Sequence, residues 1–364
     1  MSTIAPSPNS KSRMPSSEIV ETPVASAESV EFGSHMDSAT QKGMIVNCVI
    51  YAAGQRIGEI SLDEISKALR QEGTFVWLGV REPTDKLLDK IQEQFGLHEL
   101  AIEDARSAHQ RPKLEEYGES LFVVLQTAQL WRDNVVFGET HIFVGSRFLI
   151  SIRHSSPLSY KQVRERCESM PQVLARGPGF PLYAIMDFVV DHYVPVIDGL
   201  QDRFERLEAD IFKYRISRDT LVRLYELKRE LLLLRGAVIP LLDICTALMR
   251  FHSDLIPKDV RFYFRDVYDH VRRHEQTIDN MREMLTAAMQ VHLAVVTVGQ
   301  NEIVKRLAGW GAILAIPTMV FSLYGMNFQH MPELDWWFGY PATLIVVTVA
   351  CAWLYLRLRR VGWL

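Results

Sequence analysis

Tyr324-Gly325-Met326-Asn327 lies between two long apolar runs of this chain, and it places neutral oxygen donors where little else is polar. The Asn327 carboxamide and the backbone carbonyls of Tyr324 and Gly325 can hydrogen-bond the water shell of a cation without a fixed charge that would trap it. Asn327 also suits a helix C-cap, because Asn tolerates the left-handed conformation, and the two roles are compatible. Upstream, Asn301, Thr318 and Ser322 are polar residues at helical spacing, while Val304 and Leu307 are apolar and could close a narrow path by excluding water. Downstream, Glu333 and Asp335 would concentrate cations near the tetrapeptide or serve only as a solvated loop.

These residues need elements to hold them. The first apolar run starts at Leu307, directly after Lys305-Arg306, and meets no Asp, Glu, Lys or Arg before Glu333; the second runs from Trp336 to Leu356 and ends against Arg357, Arg359 and Arg360. Each has the roughly 20 residues an α-helix needs to cross a bilayer. Basic residues flank both runs on one side, and the loop 327–335 between them has no Lys or Arg. The positive-inside rule therefore puts both termini in the cytoplasm and the loop outside. Trp336, Trp337 and Tyr340, and on the other side Trp353, Tyr355 and Trp363, suit the two interfaces.

The remainder has ordinary globular composition: 23% of the 364 residues are charged and the net charge is -4. Residues 1–43, rich in Ser, Pro, Ala and Glu, are expected to be disordered, with no cleavable signal sequence. Residues 44–180 alternate β-rich and helical stretches. Ile45–Ala52, Thr74–Leu78, Leu121–Thr127, His141–Val144 and Phe148–Ile152 read as strands, and helices are expected from the Thr84-Asp85 cap to Phe95 and over Leu100–Ala108. This is an α/β domain. In residues 181–306 the pattern becomes helical, with helices over Leu182–Tyr214 and Asp219–Phe251 and then an unbroken pattern from Lys258 to Tyr324. A single helix of that length would measure about 100 Å, too long to bury itself in a compact domain, and so is expected to be a stalk packed on copies of itself. Residues 307–364 form the membrane part.

Along the stalk, Asn301, Ala308, Ala315 and Ser322 recur at seven-residue spacing, interleaved with Val304, Gly311, Thr318 and Gly325. A soluble coiled coil would place Leu and Ile at such positions. Small residues within a membrane permit close helix packing or line a lumen. The polar members favour a lumen, and two spans per chain cannot enclose one without oligomerisation.

Several function classes are excluded. There is no GxxxxGK[ST] loop to power a pump, no HExxH and no GxSxG, so no enzymatic constellation emerges and no nucleic-acid partner is indicated. Cys48, Cys167, Cys245 and Cys351 show no metal-ligand spacing.

A resemblance then sharpens the reading. Tyr324-Gly325-Met326-Asn327-Phe328, Met331-Pro332-Glu333-Leu334 and Gly339-Tyr340-Pro341 resemble the CorA family of magnesium channels, whose signature is Gly-Met-Asn at the outer end of the first span. Ile102-Glu103-Asp104, the stretch from His109 to Tyr117, Tyr263 to His270 and Asn301-Glu302-Ile303 look like that family's cytosolic segments in order and spacing. The resemblance covers about Met44 to Leu364. It implies a funnel-shaped homopentamer in the cell inner membrane, with an α/β cytosolic domain, a long α-helical stalk and two C-terminal transmembrane helices. It also implies influx of Mg2+, driven by the membrane potential, through a pore lined by the first span.

By the same resemblance, Asp104 and Asp266 match a regulatory pair that binds divalent ions across a subunit interface, and the three arginines form a basic collar. Two facing carboxylates repel unless a cation lies between them, so occupied sites would hold the funnel closed. His109 and His270 lie near these motifs and fit buried structural roles better than ligation. Val304 and Ala315 are smaller than the Met often found there in the family, which puts the tightness of the gate in question. Mg2+ favours near-octahedral oxygen ligands and parts with water reluctantly, which suits an Asn327 ring. Two other readings stay open. One is a zinc-type relative, or one handling cobalt or nickel, for which a varied Gly-Met-Asn would be the sign. The other is a non-conducting metal sensor, for which an apolar stripe would replace Asn301, Thr318 and Ser322.

Overall fold

The computed structural model describes residues 44–108, 110–212, 218–252, 254–326, 331 and 336–364. Seven strands form one sheet: β1 (Ile45–Ala52), β2 (Gln55–Glu59), β3 (Thr74–Arg81), β4 (Lys113–Tyr117), β5 (Ser120–Trp131), β6 (Asn134–Gly145) and β7 (Phe148–His154). Their spatial order is β2-β1-β3-β7-β6-β5-β4. All neighbours pair antiparallel except β3 and β7, which are parallel; two helices and then strands β4, β5 and β6 lie between them in the chain. Period-two alternation divides the apolar residues between two cores. Val76, Leu78, Phe122, Phe143 and Ile152 face one core with α1 (Ile65–Ala68), α2 (Asp85–Phe95) and α3 (Glu99–Arg106). Val49, Trp77, Val123, Ile142 and Leu149 face the other.

That second face is covered by α4 (Lys161–Glu168), α5 (Pro171–Leu174), α6 (Gly179–Asp191), α7 (Tyr193–Phe212), α8 (Arg218–Val238), α9 (Pro240–Arg250) and the first half of α10 (Lys258–Tyr324). The chain ends in α11 (Gly339–Val361). Among the described residues, four helical segments could cross a membrane by length and composition: Gly179–Ile211, Asp219–Arg250, Lys258–Tyr324 and Gly339–Val361. Their surroundings separate them. The apolar window is 72% buried in the first and 44% in the second, but only 6% in each of the last two. The last two therefore present apolar surface that water would not tolerate.

Several elements differ from the sequence-based expectation. Strands β2 and β4 were not foreseen, because Gln55–Glu59 is mostly exposed and Lys113–Tyr117 is charged. Strands β5 and β6 run to the hairpin at Arg132-Asp133, well past Thr127 and ahead of His141. The expected helix over Leu182–Tyr214 is split at His192, and the one over Asp219–Phe251 at Ile239. The cause is Pro195 and Pro240: each lacks an N–H and crowds the carbonyl four residues earlier. At the first break the His192 ring lies with Nδ1 2.7 Å from the Phe188 carbonyl. Thr84 is the N-cap of α2 as expected, yet its hydroxyl makes no hydrogen bond, and Gly96 in the left-handed conformation ends that helix.

Candidate ion path and regulatory carboxylates

The C-terminal part of α10 packs on α11 along one side. Gly309 lies against Leu364 and Leu358, Trp310 is 6.3 Å from Tyr355 between ring centres, and the Tyr324 hydroxyl is 3.4 Å from that of Thr343. Pro317 sits inside the helix and leaves the Ile313 carbonyl without its usual donor. Cys351 Sγ of α11 approaches that carbonyl at 3.7 Å, so the neighbouring helix supplies the missing partner.

The heptad stripe falls elsewhere. Gly309 and Ile313 face α11, whereas Gly311 and Ala315 lie two residues on from each, or about 200° round the helix. Asn301, Val304, Leu307, Ala308, Gly311, Ala315, Thr318, Ser322 and Gly325 are all exposed. The structure thus places the polar and small residues on the side of α10 turned away from its own second helix. Thr318 donates its hydroxyl to the Leu314 carbonyl at 2.8 Å, which leaves the oxygen lone pairs outward. Tyr324 turns its ring towards α11, so only its backbone is available to the stripe. Met326 is half exposed beyond the helix end. Asn327, Glu333 and Asp335, on which the expected entrance rests, lie outside the described residues.

Asp104 and Asp266 have separate partners within the chain. Asp104, on α3, receives Lys113 Nζ at 2.5 Å; the same ammonium reaches Glu115 at 2.9 Å. Burial opposes the charge on Lys113, but hydrogen bonds to Asp104 and Glu115 outweigh it and hold its pKa above the ordinary value. Asp266, on α10, is exposed and lies 3.8 Å from His270 Nε2, one helical turn on. His270 Nδ1 is 3.9 Å from Asp191 Oδ1 on α6. Asp187, Asp191 and His270 bring ligand atoms within 4.8 Å of one another. Asp187 is buried and held by Arg166 at 2.7 Å, and burial, followed by the charge of Asp187, pushes the pKa of Asp191 up.

Residues 72–360 match the family model described as CorA-like Mg2+ transporter protein. The chain belongs to that family. It is 29% identical over 300 residues to the cobalt/magnesium transport protein CorA of Thermotoga maritima, covering 81% of this chain and 85% of the relative. It is 24% identical to the magnesium transport protein CorA of Salmonella typhimurium, covering 79% and 92% respectively. The complete structure of the CorA magnesium transporter from Methanocaldococcus jannaschii shares the fold, with a TM-score of 0.72 at 22% identity over 88% of this chain and 99% of that one. The family is one of transporters by its description.

The carboxylates of α6 were not singled out from sequence. The signal was a pair of four-residue spacings: Asp187 to Asp191, and Asp266 to His270, each placing two possible ligands on one helix face. What sequence could not supply was that α6 and α10 pack side by side. Lys113 likewise lies within the stretch from His109 to Tyr117, but its pairing with Asp104 depends on β4 returning past α3.

Proposed function

We propose that this chain is the protomer of a Mg2+ channel that admits the ion passively under the membrane potential, Co2+ and Ni2+ being further candidate cargo. Five copies surround the path, α10 and α11 are its two spans, and loop 327–335 faces outward with both termini in the cytoplasm of the inner membrane. The supporting observation is the exposed stripe from Asn301 to Gly325 on the side of α10 opposite α11, which leaves oxygen-bearing and small residues free to meet around an axis. Asn327, with the carbonyls of Gly325 and Tyr324, holds the hydrated ion at the entrance, while Val304 and Leu307 narrow the inner end. Glu333 and Asp335 draw cations to the mouth. The test is Mg2+ uptake into liposomes: Asn327→Ala is expected to abolish uptake with the oligomer intact, and normal flux through that variant would refute the entrance.

Intracellular Mg2+ regulates the path by binding between Asp104 of one protomer and Asp266 of the next. The exposure of Asp266 and its neighbours Asp191 and His270 support this reading, since they add further oxygen and nitrogen donors at one surface. Moving a two-state population from 1:99 to 99:1 takes about 5.5 kcal/mol. Five weak sites contributing about 1 kcal/mol each supply that. Weak sites suit an abundant ion.

A further inference from the structure

A second group of titratable residues lies on the other face of the sheet. Strands β6 and β7 pair with Glu139 directly opposite His154. Cross-strand partners share a sheet face, as do residues two apart on one strand, so Glu139, His141 and His154 all project on the side of α2 and α3. His141 is fully buried and His154 is 8% exposed. Their ring centres are 4.9 Å apart. Each imidazole has a carboxylate near one nitrogen: His141 Nε2 is 3.1 Å from Glu139 Oε2, and His154 Nδ1 is 4.0 Å from Glu82 Oε2. The other nitrogens, His141 Nδ1 and His154 Nε2, have no hydrogen-bond partner. The Ala105 backbone on α3 also faces His154, without bonding to Nε2.

A buried polar atom without a partner calls for an explanation. At His141 the Glu139 carboxylate fixes an N–H on Nε2 and leaves a lone pair on Nδ1, which is the outer-shell pattern of metal-bound histidine; at His154 the Glu82 carboxylate stands beyond hydrogen-bond distance and acts only through its charge. Two imidazoles bound at about 2.1 Å to one ion, at roughly 90° to 109°, have ring centres roughly 4.6 to 5.3 Å apart. The spacing of His141 and His154 falls inside that interval. Burial, and then the neighbouring His141, holds the pKa of His154 below its ordinary value, which keeps the ring neutral at physiological pH. We propose that His141, oriented by Glu139, and His154 bind a divalent transition cation of the Co2+, Ni2+ or Zn2+ class, separate from the Asp187–Asp191–His270 group. Imidazole suits these ions, whereas Mg2+ prefers an all-oxygen shell. A cavity of about 270 Å³ lined by His154, Glu139, Gln126 and Phe137, which His141 does not line, gives room for waters on the His154 side of the ion. Glu139 also accepts the Gln110 N–H at 3.1 Å, so an ion here bears on the segment joining Asp104 to Lys113.

The test uses the full chain in lipid nanodiscs, with Co2+ as probe and a large excess of Mg2+ to occupy all-oxygen sites. X-ray absorption at the cobalt edge of the unmutated protein is expected to show two imidazoles per ion, whereas the Asp187–Asp191–His270 group offers only one. His154→Gln and His141→Gln are each expected to weaken Co2+ binding about 10- to 100-fold or more, with the melting temperature of the metal-free protein serving as the folding control. Failure to retain Co2+ against Mg2+, fewer than two imidazoles per bound ion, or unchanged Co2+ affinity in a folded His154→Gln protein would each overturn the proposal.

Discussion

Gly309 and Gly311 are close in sequence and nearly opposite around α10, so the same substitution at each isolates the two sides of the helix. A Cβ at Gly309 would lie 3.3 Å from Leu364 Cδ2 and 3.7 Å from Leu358 Cδ1. Gly309→Leu must fit a whole isobutyl group between α10 and α11, and overpacking of that kind costs about 1–3 kcal/mol. Replacing a helical Gly returns about 0.8 kcal/mol of helix propensity, leaving a net loss of roughly 1 kcal/mol. At Gly311 nothing lies within 4 Å of an added Cβ, so Gly311→Leu keeps the propensity gain and disturbs no contact within the protomer. If the stripe lines the ion path, Gly311→Leu leaves the melting temperature unchanged or raised and stops Mg2+ flux. Gly309→Leu lowers the melting temperature while the stripe stays open. Melting of the solubilised oligomer and Mg2+ uptake into liposomes at a fixed potential, measured on the same preparations, decide it. Full flux through Gly311→Leu, or blocked flux with unaltered melting in Gly309→Leu, would refute the assignment of faces.

Asp266→Ala is expected to remove inhibition by internal Mg2+ while ion preference is retained; an unchanged inhibition midpoint in patch recordings would place regulation elsewhere. Lys113→Met frees the Asp104 carboxylate from its ammonium partner, so the midpoint should move to lower Mg2+ by up to about fivefold, corresponding to a pairing energy near 1 kcal/mol. A midpoint that rises or does not move would count against Asp104 as a ligand. Cys351→Val removes the donor to the Ile313 carbonyl beside Pro317 and should cost about 0.6 kcal/mol, read as earlier thermal dissociation of the solubilised oligomer. A variant as stable as the parent would mean that the carbonyl finds another partner.

Much of the architecture was legible in the chain itself. The α/β character, the unbroken helix from Lys258 to Tyr324 and the apolar runs around Gly-Met-Asn follow from local periodicity, proline placement and length, which act over a few residues at a time. The stripe of small and polar residues was also visible, but its direction was not. Only packing against α11, through Gly309, Ile313 and Tyr324, decided which side of the helix was already occupied and which was left exposed. Strands β2 and β4 escaped because their residues are polar or charged and their ladders are set by partners elsewhere in the sheet. The pairing of Asp104 with Lys113, the approach of Asp191 to His270 and the meeting of His141 with His154 depend on helix docking and strand register. Those are contacts between segments far apart in the chain, to which the spacing within any one segment is blind.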